Sequence, residues 1–283
     1  MNEIKLSAGK TMRHVLLYFL LFLAGDLLSS LVFDGLFLAV PMPAEEWYVI
    51  LRMLGSFALT YAFFWLYTRK VLRRELADFG VTAAVKPWGI LFAVGLPGLV
   101  AAVFACVGEG SVTAFPAGKT VLVLLASLLI AVKSGILEEM LFRGFIMKLL
   151  EARWGRTVAI LAPSLVFALL HVSSMTTFDL GGFLLLLVGG TSVGVMFSLV
   201  AYKGKSIANS ALLHAVWNFV MITDVLHITT AQGAYGAPLA SILIPEEPML
   251  LTGGAFGVEV SVVAIVGYWI VCGLTMLGRK KAR

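Results

Sequence analysis

The chain has 283 residues, of which 60% are hydrophobic and only 13% are charged, and its formal net charge is +5 at pH 7. Soluble domains average about 25% charged residues, so this composition excludes an ordinary soluble domain. The basic residues lie in short segments between apolar runs, where they set the orientation of membrane helices. The net charge therefore does not indicate nucleic-acid binding, and the expected surroundings are membrane lipids.

Apolar runs of about 20 residues recur along the chain, and a run of this length crosses a bilayer as a helix. They predict an all-α polytopic membrane protein, a bundle of about eight transmembrane helices within one integral membrane domain over residues 1–283. The predicted spans are roughly 15–40, 47–68, 88–107, 120–150, 157–172, 182–202, 206–226 and 256–277. The fourth would be about 46 Å long as a continuous helix, so it must tilt, kink near Gly135 or protrude. The segment 227–255 is either a plain loop or a stretch that dips back into the bundle.

Lysines and arginines are distributed unevenly between the two sides of this predicted bundle. Of the 21 basic residues, 17 lie in termini and loops on one side. They are Lys5, Lys10, Arg13, Arg69, Lys70, Arg73, Arg74, Lys86, Lys148, Arg153, Arg156, Lys203, Lys205, Arg279, Lys280, Lys281 and Arg283. Because cytoplasmic loops carry an excess of lysine and arginine, this side is predicted to be the cytoplasm. We therefore expect a multi-pass protein of the cell membrane with both termini in the cytoplasm.

The fourth predicted span contains four ionisable residues in an otherwise apolar stretch, namely Lys133, Glu138, Glu139 and Arg143. An ionisable group near the bilayer centre costs at least ~2.5–3.5 kcal/mol, so such residues face the bundle interior or a wet cavity and usually mark function. Glu139 and Arg143 are four residues apart and share a helix face, which favours an ion pair. Glu138 is rotated by about 100° from Glu139, so its carboxylate points elsewhere and is free for chemistry.

Two further polar pairs lie in the fifth and seventh predicted spans. Phe167 and His171 are four residues apart, as are His214 and Asn218, so each pair shares one helix face. At 1.5 Å per residue from the cytoplasmic helix ends, the depths are about 15 Å for Glu138, 21 Å for His171, 12 Å for His214 and 18 Å for Asn218. These similar depths predict that side chains from three helices meet in one buried site.

Each of these features also has a purely structural interpretation. A lone His171 would more often satisfy a hydrogen bond in a bundle than catalyse a reaction, and His214 with Asn218 would suit interhelical hydrogen bonding. The Glu139–Arg143 pair alone is most simply a structural ion pair. Glu138 has no such explanation, because an unpaired carboxylate within a membrane span is costly. Together these residues favour a functional site.

A carboxylate, two imidazoles and an amide in a water-accessible pocket suit hydrolysis. Glu138 would take a proton from water, and His171 would hold that water or protonate the leaving amine. His214 and Asn218 would donate hydrogen bonds to the developing oxyanion. A catalytic zinc bound by Glu138, His171 and His214, with an open fourth position, is the alternative. Because the amide of Asn218 is a poor zinc ligand, metal-free catalysis is favoured and no cofactor is expected.

The order of these motifs resembles that of the CAAX protease and bacteriocin-processing family of intramembrane endopeptidases, also called the Abi family, which includes the Rce1-type CAAX prenyl proteases. The matching residues are Glu138, Glu139 and Arg143 (E-E-x-x-x-R), Phe167 and His171 (F-x-x-x-H), and His214 and Asn218 (H-x-x-x-N). Each motif is weak alone, but three in this order are specific. The resemblance covers roughly residues 119–226, which is the predicted catalytic core.

The resemblance implies a glutamate-dependent endopeptidase with the catalytic roles given above, and with Glu139, Arg143 and Phe167 as supporting residues. Rce1-type members cut a prenylated protein C-terminus and release three residues. Many bacterial members instead mature peptides or confer bacteriocin self-immunity. The implied partner is therefore a peptide or protein substrate, either lipidated or not, which a site opening to the cytoplasmic side would admit.

Two other classes of protein would use the same residues. An ion-coupled transporter would spread acidic residues along a path, whereas here they cluster at one depth. A non-catalytic scaffold that regulates a partner protein would need the polar residues only to hold helices together. The first predicts gradient-dependent activity, and the second predicts that replacing Glu138 leaves cellular function intact.

Overall fold

The long helices of the computed structural model follow the apolar runs of the sequence. The structure describes residues 6–40, 42–231, 236–245 and 248–277. The helices are α1 (Ala8–Ala39), α2 (Glu45–Lys70), α3 (Pro87–Ala105), α4 (Ala117–Glu139), α5 (Met147–Leu170), α6 (Leu180–Gly204), α7 (Ala208–Met221), α8 (Met249–Thr252) and α9 (Val262–Leu277). In the described part of the chain, eight of them have 14 residues or more. The predicted all-α bundle of about eight helices is confirmed.

Five helical runs of the described residues are long and apolar enough to cross a membrane. One of them, Ala117–Ser174, is 58 residues long and contains both the fourth and the fifth predicted span. Its backbone leaves the helical conformation at Gly155, where φ is 80° and ψ is 176°. Glycine adopts this positive φ without steric cost. Gly155 therefore separates the helix that carries Glu138 from the helix that carries Phe167.

The helix α7 is shorter than the predicted span 206–226. It has 14 residues, which corresponds to about 21 Å. The carbonyl of Asn218 accepts hydrogen bonds from the backbone N–H groups of both Ile222 and Thr223, at 3.0 and 3.1 Å, and the helix ends at this shared acceptor. The chain then enters a strand at Leu226 instead of continuing as a helix.

A small three-stranded sheet lies at one end of the bundle. Its strands are β1 (Glu109–Val112), β2 (Leu226–Thr229) and β3 (Ala240–Leu243), in the order β1-β3-β2, with β3 antiparallel to β1 and parallel to β2. The segment for which the sequence allowed a loop or a re-entrant stretch thus contributes two strands and the single-turn α8. Because β1 precedes α4 and β2 follows α7, we call this end of the bundle the sheet end.

The basic loops meet at the opposite end, which we call the basic end. Thr82 donates a hydrogen bond to Ser206 Oγ at 2.8 Å and so ties the loop after α2 to the loop after α6. The guanidinium of Arg156, at the start of the fifth predicted span, lies 3.9 Å from the ring centroid of Tyr202 near the end of α6. Five basic residues counted above lie outside the described residues, namely Lys5, Arg279, Lys280, Lys281 and Arg283.

Close packing at Gly135 brings α4 against α7. A Cβ atom at Gly135 would lie 2.7 Å from the backbone nitrogen of Ala215, which is too close for any side chain. Small residues allow helix backbones to approach in this way inside membranes. The contact places Glu138, almost one turn further along α4, beside His214 of α7.

Candidate active site

The helix α4 runs directly into a π-helix over Met140–Ile146, all of which is buried. The fourth predicted span is thus irregular at Met140–Ile146. The helix α4 stays helical through Gly135, where a kink was one of the predicted alternatives. The ring of Phe145 stacks on Tyr18 with a centroid distance of 4.0 Å and meets Phe64 edge-on at 5.1 Å. These contacts fix the π-helix and therefore the directions of the two glutamates that precede it. Single-turn π-helices often occur at functional sites.

Glu139 and Arg143 form the buried ion pair expected from their spacing. Their side chains are 0% and 2% exposed, and Arg143 Nη1 lies 2.7 Å from Glu139 Oε1. Arg143 Nη2 donates to the carbonyl of Gly194 in α6 at 3.0 Å. Three aromatic rings surround the guanidinium at 5.0–5.6 Å, those of Phe142, Phe167 and Phe197. The pair is thus satisfied on several sides and joins α4 to α6.

Glu138 points in a different direction from Glu139. Its side chain is 21% exposed, and this exposed surface lines an internal cavity. Within the described residues, no lysine or arginine forms an ion pair with it. A glutamate that has water access but no cationic partner is able to exchange a proton during a reaction.

His214 links the two glutamates. Its Nδ1 lies 3.2 Å from Glu139 Oε1, and its Nε2 lies 3.9 Å from Glu138 Oε2. Because a carboxylate only accepts hydrogen bonds, Nδ1 is the donor in the contact with Glu139. The imidazole also stacks on Phe197, with a centroid distance of 4.7 Å and an interplanar angle of 19°. Glu139 and Phe197 therefore orient Nε2 of His214 towards Glu138.

His171 directly follows the end of α5 and begins the short 3₁₀ helix His171–Ser174. Its Nδ1 lies 2.8 Å from the carbonyl oxygen of Phe167 and must donate to it. This contact leaves Nε2 without a proton in the neutral ring, so it is free to accept a hydrogen bond. The ring also packs 4.5 Å from the ring of Phe167, which contacts Arg143 as well. Phe167 thus supports both the histidine and the ion pair.

Asn218 is held by a serine that the sequence motifs do not include. Its Nδ2 donates to Ser134 Oγ at 2.8 Å, and Ser134 Oγ in turn donates to the carbonyl of Ile130 at 2.9 Å. Ser134 precedes Glu138 by four residues and so shares its helix face, a spacing that could have identified it. One N–H of the Asn218 amide remains available for a ligand.

The four predicted catalytic side chains surround one cavity of about 370 Å³. Its polar lining in the described residues consists of Ser134, Glu138, His171, Ser174, His214, Asn218, Glu259 and Tyr268, together with the indole of Trp217. The rest of the wall is apolar and consists of residues of α6 together with Ile130, Phe167, Ile222, Phe256 and Val260. The residues from three predicted spans are therefore brought together, as their depths indicated.

The cavity extends from Glu138 towards the sheet end. Along α4 it is lined by Glu138 and by Ser134 and Ile130, which lie nearer that end, and along α7 by His214 and residues as far as Ile222. On the other side of Glu138 the buried ion pair and the π-helix close the bundle. The lining residues of the cavity thus lie on the sheet-end side of Glu138, and the expected opening on the side with the basic loops stays a prediction.

Comparison with protein families identifies this segment. A family model described as "type II CAAX prenyl endopeptidase Rce1-like" matches residues 120–220. Residues 120–220 are thus similar to the Rce1-like family. This assignment confirms the resemblance stated from the three motifs, and all seven motif residues lie within the Rce1-like segment. Searches among curated proteins and among solved structures gave no match.

Two polar residues of the cavity lie beyond the Rce1-like segment and were missed from the sequence. Glu259 belongs to the 3₁₀ helix Val258–Val260, and Tyr268 belongs to α9. Tyr268 donates a hydrogen bond to the backbone carbonyl of Glu259 at 2.7 Å. Glu259 falls inside the predicted eighth span, where the cost of a carboxylate is itself a signal of function that could have found it.

A zinc site at this position needs Glu138, His171 and His214 to converge on one point about 2 Å from each donor. Within the described residues, no three histidine, cysteine, aspartate or glutamate side chains are grouped closely enough to bind a metal. The Nδ1 atoms of both histidines donate to protein oxygens, so any metal here would be bound through their Nε2 atoms. The zinc alternative stays a prediction, and the chemical steps below use only side chains of this chain.

Proposed function

We propose that the chain is an intramembrane endopeptidase in which Glu138 activates a water molecule to hydrolyse a peptide bond. The observation that carries the proposal is the contrast between two adjacent glutamates. Glu139 is neutralised by Arg143, whereas Glu138 faces the cavity with His214 Nε2 3.9 Å away. The description of the Rce1-like family as endopeptidases supports peptide hydrolysis.

In this mechanism Glu138 accepts one proton of a water molecule, and the hydroxide attacks the carbonyl carbon of the scissile bond. The C–N bond then breaks, and the proton on Glu138 passes to the departing nitrogen, either directly or through His171. Nε2 of His171 is suited to this step because its Nδ1 is occupied by the carbonyl of Phe167. The second proton of the water remains with the new carboxyl group and is lost to solvent.

Asn218 and His214 stabilise the negative charge on the carbonyl oxygen. The amide of Asn218, which lines the cavity, is fixed by Ser134 and has a second N–H with which it would donate to the oxyanion. His214 donates through Nε2 when its ring carries both protons, while Nδ1 continues to donate to Glu139. Donors that are fixed before the reaction stabilise an oxyanion without reorganisation, and losing one typically costs about 10²–10³-fold in rate.

The basic end is proposed to face the cytoplasm, because it holds most of the described lysines and arginines. With this orientation, the cavity at the sheet end is reached from the opposite side of the membrane or from the lipid. A cysteine at Ser174, in the cavity wall, is expected to react with a membrane-impermeant maleimide in intact cells. A cysteine at Arg153, at the basic end, should react only after permeabilisation. Both variants are made in a background without Cys106 and Cys272, and the reverse labelling pattern would contradict the orientation.

The proposed activity is tested with purified full-length protein and quenched fluorescent peptides. The panel contains a farnesylated CAAX peptide, the same peptide without the farnesyl group, and amidated peptides of varied internal sequence. We expect cleavage of at least one class, and the ratio of the first two rates measures the contribution of the lipid. A wild-type protein that is folded and cleaves none of the three classes would contradict the proposal.

A further inference from the structure

Glu259 lies in a rigid part of the cavity wall. Its neighbours Val258 and Val260 are buried, and a Cβ atom at Gly189 of α6 would lie 2.8 Å from the Cβ of Val260. The hydroxyl of Tyr268 holds the backbone carbonyl of Glu259, and the ring of Tyr268 packs 5.4 Å from that of Trp217 in α7. The position of Glu259 is therefore fixed relative to the helix that carries His214 and Asn218.

The carboxylate of Glu259 has no partner among the described residues. No hydrogen bond or ion pair reaches it from the described part of the chain, although its backbone carbonyl is bonded. Glu259 and Glu138 both line the cavity of about 370 Å³. Glu259 also lines a neighbouring cavity of about 220 Å³, which lies between the 3₁₀ helix Val258–Val260 and β2. By contrast Asp224, which lines only the second cavity, is paired with His227 at 3.2 Å. An ionised carboxylate without a partner inside a bundle costs free energy, and a cationic ligand that pairs with it offsets that cost.

The charges of the two cavities indicate the chemistry of that ligand. No lysine or arginine of the described residues lines either cavity, while Glu138 and Glu259 both line the larger one. A substrate carboxylate would meet two acidic groups without a compensating cation, whereas a cationic group would neutralise one of them. A cavity of 370 Å³ is about 9 Å across, and an extended chain advances about 3.3 Å per residue. A substrate side chain that reaches Glu259 is therefore within about three residues of a substrate peptide bond that lies at Glu138.

We propose that Glu259 is a specificity-determining residue that pairs with a lysine or arginine side chain of the substrate, within about three residues of the cleaved bond. This proposal rests on the proposed peptidase function and adds a substrate class to it, a cationic polypeptide segment. The pairing satisfies a carboxylate that the described part of the chain leaves unpartnered. It also places the side chain that selects the substrate outside the Rce1-like segment.

The test compares peptides that differ only in lysine, glutamine or glutamate at positions within three residues of the cleavage site. Wild type is expected to cleave the lysine peptide at least about tenfold faster than the glutamine peptide in kcat/KM, mainly through KM. Glu259→Gln should reduce this ratio to about twofold or less, and Glu259→Lys should shift it towards the glutamate peptide. The matched control Asp224→Asn should keep the wild-type ratio.

Binding separates this proposal from the proposed reaction. The affinities of the lysine and glutamine peptides are measured by fluorescence polarisation for full-length Glu138→Gln protein, with and without the additional Glu259→Gln change. We expect a preference for lysine that disappears with Glu259→Gln. An unchanged preference in that double variant, or no preference in its Glu138→Gln parent, would overturn the role of Glu259. Preferential binding without any cleavage by wild type would instead overturn the peptidase function alone.

Discussion

Glu138→Gln is expected to lower kcat for peptide cleavage by about 10²–10⁴-fold, because the amide cannot accept the proton of the attacking water. The substitution keeps the size of the side chain, and Glu138 is not part of the buried ion pair, so the protein should still insert and fold. Thermal unfolding of the purified variant, measured beside its initial rates, separates loss of chemistry from loss of structure.

Glu151→Gln is the matched control for this substitution. Glu151 makes only a partly exposed ion pair with Lys148 near the basic end, at 3.3 Å. Its replacement should change both the rate and the unfolding midpoint very little, since exposed pairs contribute about 0–1 kcal/mol. A Glu138→Gln protein that keeps more than a tenth of the wild-type rate would exclude Glu138 as the base.

Arg143→Ala is expected to destabilise the fold by about 3–5 kcal/mol, because it leaves Glu139 buried without its cation. It also removes the hydrogen bond to the carbonyl of Gly194 and the contacts with three aromatic rings. The unfolding midpoint in detergent should fall by roughly 10 °C, at about 2–4 °C per kcal/mol. Activity should fall as well, since Glu139 orients His214.

Two further variants identify the cause of that loss. Arg153→Ala removes an exposed arginine from the same long helical run, and a surface change of this kind should cost less than about 0.5 kcal/mol. The double variant Arg143→Met, Glu139→Gln removes both charges and should recover part of the stability. If Arg143→Ala unfolds at the wild-type temperature, the buried pair does not stabilise the bundle.

The helices and the convergence of the motifs were predictable from local patterns. Apolar runs fix where helices form in a membrane, and charges within them are too costly to be accidental. The spacing of Glu139 and Arg143 predicted their ion pair correctly, because four residues make one helical turn. The similar depths of Glu138 and His214 in the membrane predicted that the two side chains would meet. Their approach is possible because α4 and α7 pack closely at Gly135.

Other features depend on packing between distant segments. The π-helix consists of ordinary helix-forming residues, and its geometry follows from the aromatic contacts of Phe145 with α1 and α2. The early end of α7 depends on a sheet whose strands come from segments more than 100 residues apart. The cavity lies on one side of Glu138 because the buried ion pair and the π-helix fill the other side. The depth of a residue along its own helix does not reveal which side is filled.

The roles of Glu138 and of metal ions are tested most directly in one assay. Metal-depleted wild type and Glu138→Gln protein are each incubated with the quenched farnesylated CAAX peptide and its unprenylated counterpart, with and without an excess of chelator. We predict cleavage of at least one peptide by wild type at the same rate in both conditions, and cleavage by Glu138→Gln that is slower by about 10²-fold or more. Activity that disappears with chelator and returns with zinc, or that stays above about a tenth of the wild-type rate in Glu138→Gln, would contradict hydrolysis by a glutamate-activated water.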